Sequence, residues 1–141
     1  GMPAFLDGLK YNQDGLVAVL VQHVDTGEIL MQAFADRAAL CETLQTRLAT
    51  FYSRSRAGRW CKGETSGNTI TVHGVYLDCD RDSIIYLSEP TGPSCHTGAR
   101  TCWFTSAKLG AAAVESDGAH DSLARVPRTT LLALERTIAE R

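Results

Sequence analysis

Residues 69–88 constrain this chain more than any other stretch. Residues 69–79 alternate apolar and polar side chains, the period of a half-buried strand, and residues 83–88 read as a second, apolar strand beside it. The rest of the pattern supplies partners. Residues 16–24 are rich in Val and Leu and read as a buried strand. Asp25-Thr26-Gly27 is a turn signal, and residues 28–34 pair back as another strand. Asp36 can cap a helix running to 48, with Leu40, Leu44 and Leu48 on its buried face. Residues 49–53 look extended, and 54–68 form a long polar loop. Residues 89–101, with Pro90, Gly92, Pro93 and Gly98, form a second loop, and 102–105 begin a short strand. The expected fold is β-rich α+β, mainly antiparallel strands with one or two helices. Residues 1–106 make its principal domain, 107–128 resemble a linker, and 129–141 form a last helix with Leu131, Leu134 and Ile138 on one stripe.

Composition narrows the function classes. At 44% apolar and 21% charged residues the chain is ordinary for a globular protein. A net charge of −2 gives no general field for nucleic acid, though a local basic site for a phosphorylated small molecule remains open. No apolar run approaches the ~18 residues of a membrane span. The five cysteines, Cys41, Cys61, Cys79, Cys95 and Cys102, are an odd number and argue against a disulfide framework. A reducing, cytoplasmic setting is expected, or a plastid stroma if the source is a plant or alga.

Three constellations carry chemistry. Asp78-Cys79-Asp80-Arg81-Asp82 spaces three carboxylates two residues apart. If the strand continues through them, all three share one face and Cys79 points to the other. A hard divalent cation, magnesium or calcium, would relieve their repulsion; the ordinary alternative is a solvated acidic turn. The spacing also fits the start of a calcium-binding EF-hand loop, with Glu89 at its twelfth position. Ser83 replaces the required glycine there, however, and the flanks are strands.

Cys79, Cys95 and Cys102 could bind zinc through three thiolates and leave a fourth position for water, whose pKa would fall to about 7. His96 could then move a proton. The alternative is ordinary cysteines and a surface histidine. The third constellation is Ser53-Arg54-Ser55-Arg56, with Trp60 and Lys62-Gly63-Glu64-Thr65-Ser66-Gly67-Asn68. Arginines fork onto phosphate, and hydroxyls and glycine amides fill in around it. The glycine spacing is not that of a Walker loop, and a solvated basic turn is the competing account. Trp60 argues for a packed or stacking surface.

Together these stretches, with Thr26-Gly27-Glu28-Ile29-Leu30-Met31 ahead of them and Cys95-His96-Thr97-Gly98 behind, resemble the phosphoribosyl-AMP cyclohydrolase family over roughly residues 9–105. Cys61 and Phe34-Ala35 depart mildly from that pattern. The resemblance implies magnesium on Asp78, Asp80 and Asp82 and zinc on Cys79, Cys95 and Cys102. It implies an intertwined homodimer in which Cys79 comes from one subunit and the other two cysteines from its partner. Substrate and phosphate contacts are expected from Ser53, Arg54, Ser55, Arg56, Trp60, Lys62, Glu64, Thr65 and Ser66, and His96 is the expected catalytic proton carrier. The implied reaction is hydrolytic opening of the adenine N1–C6 bond of 1-(5-phosphoribosyl)-AMP, a step of histidine biosynthesis.

The segment 131–141 resembles the opening of a phosphoribosyl-ATP pyrophosphohydrolase domain, too short here to imply a second activity. Two other classes compete with the ring-opening reading. A zinc nucleobase deaminase would attack the same carbon, but its H-x-E and P-C-x-x-C signature is missing. A non-catalytic zinc module would close the metal with a fourth ligand, for which His96 is the candidate.

Overall fold

The computed structural model describes residues 2–110 and 115–116. Their order is α1 Met2–Asp7, β1 Val17–His23, β2 Ile29–Ala35, α2 Arg37–Thr46, β3 Thr50–Ser53, β4 Gly58–Cys61, β5 Ile70–Leu77, β6 Ser83–Pro90, β7 Ser106–Ala107 and β8 Glu115–Ser116. Six strands form one sheet in the order β4-β3-β2-β1-β6-β5, and β7 pairs with β8 separately. The main sheet is antiparallel except where β1 runs parallel to β6 at its centre, so the expected β-rich α+β class is what forms.

Alternation on β1 explains its central place. Val17, Val19 and Val21 all face the core. Val19 lies beside Ile84 and Val21 beside Tyr86 on β6. Phe51 on β3 meets both Tyr86 and Trp60, with ring centroids 5.7 and 5.5 Å apart. Helix α2 covers this face with Ala39, Leu40 and Thr43. Asp36 caps it by accepting the Ala39 N–H at 2.8 Å. The helix stops two residues earlier than the leucine spacing predicts. Arg47 turns left-handed (φ 66°), and its N–H donates to the Thr43 carbonyl. Leu48 thus leaves the helical stripe and bridges Thr71 instead.

Three further expectations change, and one element, helix α1, is unexpected. Residues 54–68 are not all loop, because β4 folds back on β3 and pairs Phe51 with Trp60. The strand expected at 102–105 does not form: Cys102 donates to the Leu30 carbonyl at 2.8 Å, and pairing begins only at Ser106. Helix α1, with Leu6 fully buried, has too few residues to show a helical period in sequence. Strand β5 bulges between Val72 and Gly74 and ends at Leu77, which removes the premise that Asp78, Asp80 and Asp82 share a strand face. The linker-like segment lies mostly outside the described residues, and the helix expected at 129–141 entirely so.

Candidate functional site

Strand β6 separates two chemically different ends. Its first residue follows the acidic turn, and its last leads into the loop that carries Cys95 and Cys102. Eight residues at about 3.3 Å each make the strand roughly 25 Å long.

At the first end the chain turns tightly from Asp78 to Asp82. Asp78 Oδ1 accepts the N–H of Asp82 at 3.0 Å and of Ser83 at 3.3 Å. Arg81 adopts φ 65°, and its Nε donates to the Gly8 carbonyl at 3.1 Å, tying the turn to the N-terminal segment. The turn does what the strand was expected to do: carboxylate oxygens of Asp78, Asp80 and Asp82 lie within 4.8 Å of one another, all exposed. Hydrogen bonds with Asp78 and Asp82, then slight desolvation and their charges, raise the Asp80 carboxyl to about 6. Asp78 is lowered by the same sharing of a proton with Asp80. A proton is thus held where a divalent cation would neutralise more charge, and an exposed all-oxygen donor set fits magnesium.

At the other end Cys95 is buried and Cys102 exposed. Burial pushes the Cys95 thiol up, but bonds from the Thr97 hydroxyl (3.1 Å) and amide, from Cys102, and the charge of Lys62 outweigh it and bring it below the ordinary thiol value. Desolvation and then the adjacent Cys95 raise Cys102 to about 11. Cys95 is therefore the more readily ionised sulfur of an adjacent thiol pair, a donor set that a soft cation fits. Cys79 is not with them. It sits in the acidic turn at the far end of β6, and among the described residues no group of three metal-capable side chains contains these cysteines.

A cleft of ≈ 320 Å³ opens beside the thiol pair. It gathers Arg56, Trp60, Lys62, Glu64, Thr65 and Ser66 with Cys95 and the exposed His96. Asn68, which closes the same motif without an expected role, also lines it. Gly63 (φ 80°) makes the floor possible, since a Cβ there would lie 2.3 Å from the Asn68 backbone. Ser53, Arg54 and Ser55 line a different cleft of ≈ 570 Å³, sharing only Trp60 with the first. There the Arg54 guanidinium stacks 4.2 Å above the Phe34 ring. Lys62, buried with its ammonium 5.7 Å from the Trp60 ring, influences both thiols.

Glu64 is not free to meet a ligand alone: Arg59 holds it at 3.1 Å while also gripping Glu42 on α2. Arg59 carried no sequence signal, and Glu28 stood in a motif without a role, because Arg59 grips Glu42 and Glu28 pairs with Arg100, partners that no spacing encodes.

A turn of clustered carboxylates and a cleft beside paired thiols, set at opposite ends of β6, are the features for which relatives can be sought. The family model for phosphoribosyl-AMP cyclohydrolase matches residues 31–104. The histidine biosynthesis bifunctional protein hisIE, chloroplastic, of Arabidopsis thaliana is 49% identical over 136 residues, which is 96% of this chain and 47% of that protein. A phosphoribosyl-AMP cyclohydrolase of Erythrobacter litoralis is 54% identical over 102 residues, covering 72% of this chain and 82% of the relative. The bifunctional protein HisIE of Deinococcus radiodurans is 52% identical over 99 residues, 70% of this chain and 45% of that one. The chain belongs to the phosphoribosyl-AMP cyclohydrolase family, and it spans about half the length of the bifunctional relatives it matches.

Proposed function

We propose that this chain opens the adenine ring of 1-(5-phosphoribosyl)-AMP with water, acting as a homodimer with zinc and magnesium. The observation that supports the reading is the cleft in which Cys95, an exposed histidine, a buried lysine and a tryptophan come together, with Cys102 beside Cys95. The substrate carries a phosphoribosyl group on N1, which makes C6 electrophilic. Water adds its oxygen to C6, the N1–C6 bond breaks, and C6 becomes a carboxamide carbon while N1 stays on C2 as the formimino nitrogen. His96, exposed at the cleft, takes the proton from water and returns one to N1 as the bond breaks. Cys95, Cys102 and a third thiolate would hold zinc, which would supply an acidified water at neutral pH. Magnesium on Asp78, Asp80 and Asp82 and the basic residues Arg54, Arg56 and Lys62 serve the phosphates. Their division between two clefts meeting at Trp60 suits a substrate with two separated phosphates, and holding both ends fixes the ring over the thiols.

The length of β6 supports a shared site. Cys79 and the Cys95–Cys102 pair lie at opposite ends of that strand, so Cys79 of one subunit serves the pair of the other. The place of action is the cytoplasm, or the plastid stroma in a plant or alga; the Arabidopsis relative is named as chloroplastic. No helix of the described residues is long and apolar enough to cross a membrane.

Subunit exchange tests the reading. Cys79→Ala and Cys95→Ala are each expected to be inactive in the ring-opening assay. After mixing and exchange, one site of each mixed dimer is intact, so activity should recover to about a quarter of wild type. Verified exchange without recovery rejects the shared site, and a wild-type dimer inert on phosphoribosyl-AMP rejects the function.

A further inference from the structure

Three successive residues of the thiol loop fasten to three successive residues at the start of β2. Arg100 Nε donates to both carboxylate oxygens of Glu28 at 3.1 Å. Thr101 Oγ1 donates to the Ile29 carbonyl at 2.7 Å, and the Cys102 N–H to the Leu30 carbonyl at 2.8 Å. The other arm of the loop hangs from the same segment. The Cys95 N–H donates to the Ala99 carbonyl at 3.1 Å, and the Ser94 N–H to that of Arg100 at 3.2 Å. The spacing of the two sulfurs therefore depends on how firmly residues 99–102 are held.

Of the three fastenings, the first is chemically unlike the others. The backbone and hydroxyl bonds are neutral and cost little to exchange for water. Glu28 is a carboxylate only 3% exposed, and its one ion-pair partner among the described residues is Arg100, whose side chain is 59% exposed. A buried carboxylate without its cation is expensive, whereas the arginine alone would be content in water. Opening of the loop therefore strands a charge inside the sheet, and only the closed loop compensates it. An apolar residue at position 28 would stabilise the sheet without creating that dependence.

We propose that Glu28 and Arg100 form a latch, a pair of positioning residues that keeps the Cys95–Cys102 loop closed and its two thiols at fixed spacing. The latch bears on catalysis through the reading of these thiols as metal ligands; its control of thiol access stands apart from that reading.

Alkylation of the metal-free 141-residue chain by iodoacetamide, followed peptide by peptide, measures that access directly. Arg100→Ala removes an exposed side chain and should leave the fold intact. Cys95 should then react about tenfold faster while Cys41 stays within about twofold, because only local opening has become easier. Arg100→Lys should recover part of the protection, since the charge is kept and the fork geometry lost. Glu28→Gln should act like Arg100→Ala, and the double variant should react no faster than the faster single one. In zinc-loaded protein the same variants should release metal to a chromophoric chelator about tenfold faster. An unchanged Cys95 rate in folded Arg100→Ala protein, or effects that multiply in the double variant, overturns the latch. Wild-type protein that takes up no zinc defeats the metal reading alone, and the alkylation rates still decide the latch.

Discussion

The two ends of β6 are built in opposite ways. The acidic turn is made by five consecutive residues, all but closed on itself through Asp78 and exposed throughout, with Arg81 as its tie to the N-terminal segment. The thiol end draws on residues 28–30, 56–68 and 95–102, and much of it is buried. A local, solvated device can lose one member and keep its shape. A device assembled from three segments fails when any of them shifts. Substitutions should therefore be severe and specific at the thiol end, and graded at the acidic end.

The largest effect expected is for Cys102→Ser. Serine stays protonated at neutral pH and replaces a soft donor with a poor one, so turnover should fall to background together with zinc content. Full ring-opening activity in a zinc-free Cys102→Ser protein would remove the thiol end from the chemistry and erase the contrast.

Asp80→Asn should give a smaller, separable effect: magnesium affinity reduced at least about tenfold, zinc content unchanged, because the substitution weakens one hard oxygen donor and leaves all three thiols in place. Its stability should change in a defined pH window. In metal-free wild type the folded-state pKa of Asp80 is about 6, above its unfolded value, so the unfolded state gives up its proton first as pH rises. Whatever stability that proton contributes is fully present below the unfolded pKa and is lost as pH rises through 6. An asparagine side chain in its place has nothing to ionise, so the chelator-treated variant should match or exceed wild type in melting temperature above pH 6. Loss of both metals together in a folded Asp80→Asn protein would mean that the two ends are one site.

That contrast also explains what could be read from the residues alone. The acidic turn was legible because its members are adjacent: Asp78, Asp80 and Asp82 come together whether the backbone is a strand or a turn. The reason for their convergence was not legible, since a bulge at Val72–Gly74 and the end of β5 at Leu77 depend on pairing with β6. The cleft residues from Arg56 to Ser66 were found through motif and resemblance. Their separation from Ser53, Arg54 and Ser55 was not, because β4 had to fold onto β3 before Trp60 could stand between two clefts. Glu28 and Arg100, 72 positions apart, carry no shared sequence period at all. The valine alternation of β1 gave its burial, while its parallel pairing with β6 follows from sheet order, which a period of two does not encode.

The smallest effect is expected midway between the two ends, at Tyr86. Its ring is fully buried against Phe51, and its hydroxyl donates to Thr43 Oγ1 at 3.2 Å, with the Thr50 carbonyl at 3.4 Å. Burial raises the phenol well above its ordinary value, so the group is a neutral donor at any working pH. Phenylalanine keeps the packing and removes only the donor. Thr43 Oγ1 still donates to the Ala39 carbonyl at 2.9 Å and still accepts the Thr50 N–H at 3.0 Å, so it is not orphaned. Tyr86→Phe should therefore cost about 1 kcal/mol, the net worth of one buried neutral hydrogen bond. Urea unfolding should show it as a lower midpoint with an unchanged slope. Ring-opening activity, zinc content and magnesium affinity should all stay within about twofold of wild type, because nothing at either end touches this hydroxyl. A tenfold loss of activity at unchanged metal content would show that the middle of β6 transmits strain to the cleft, and the two ends would then have to be treated as one coupled unit.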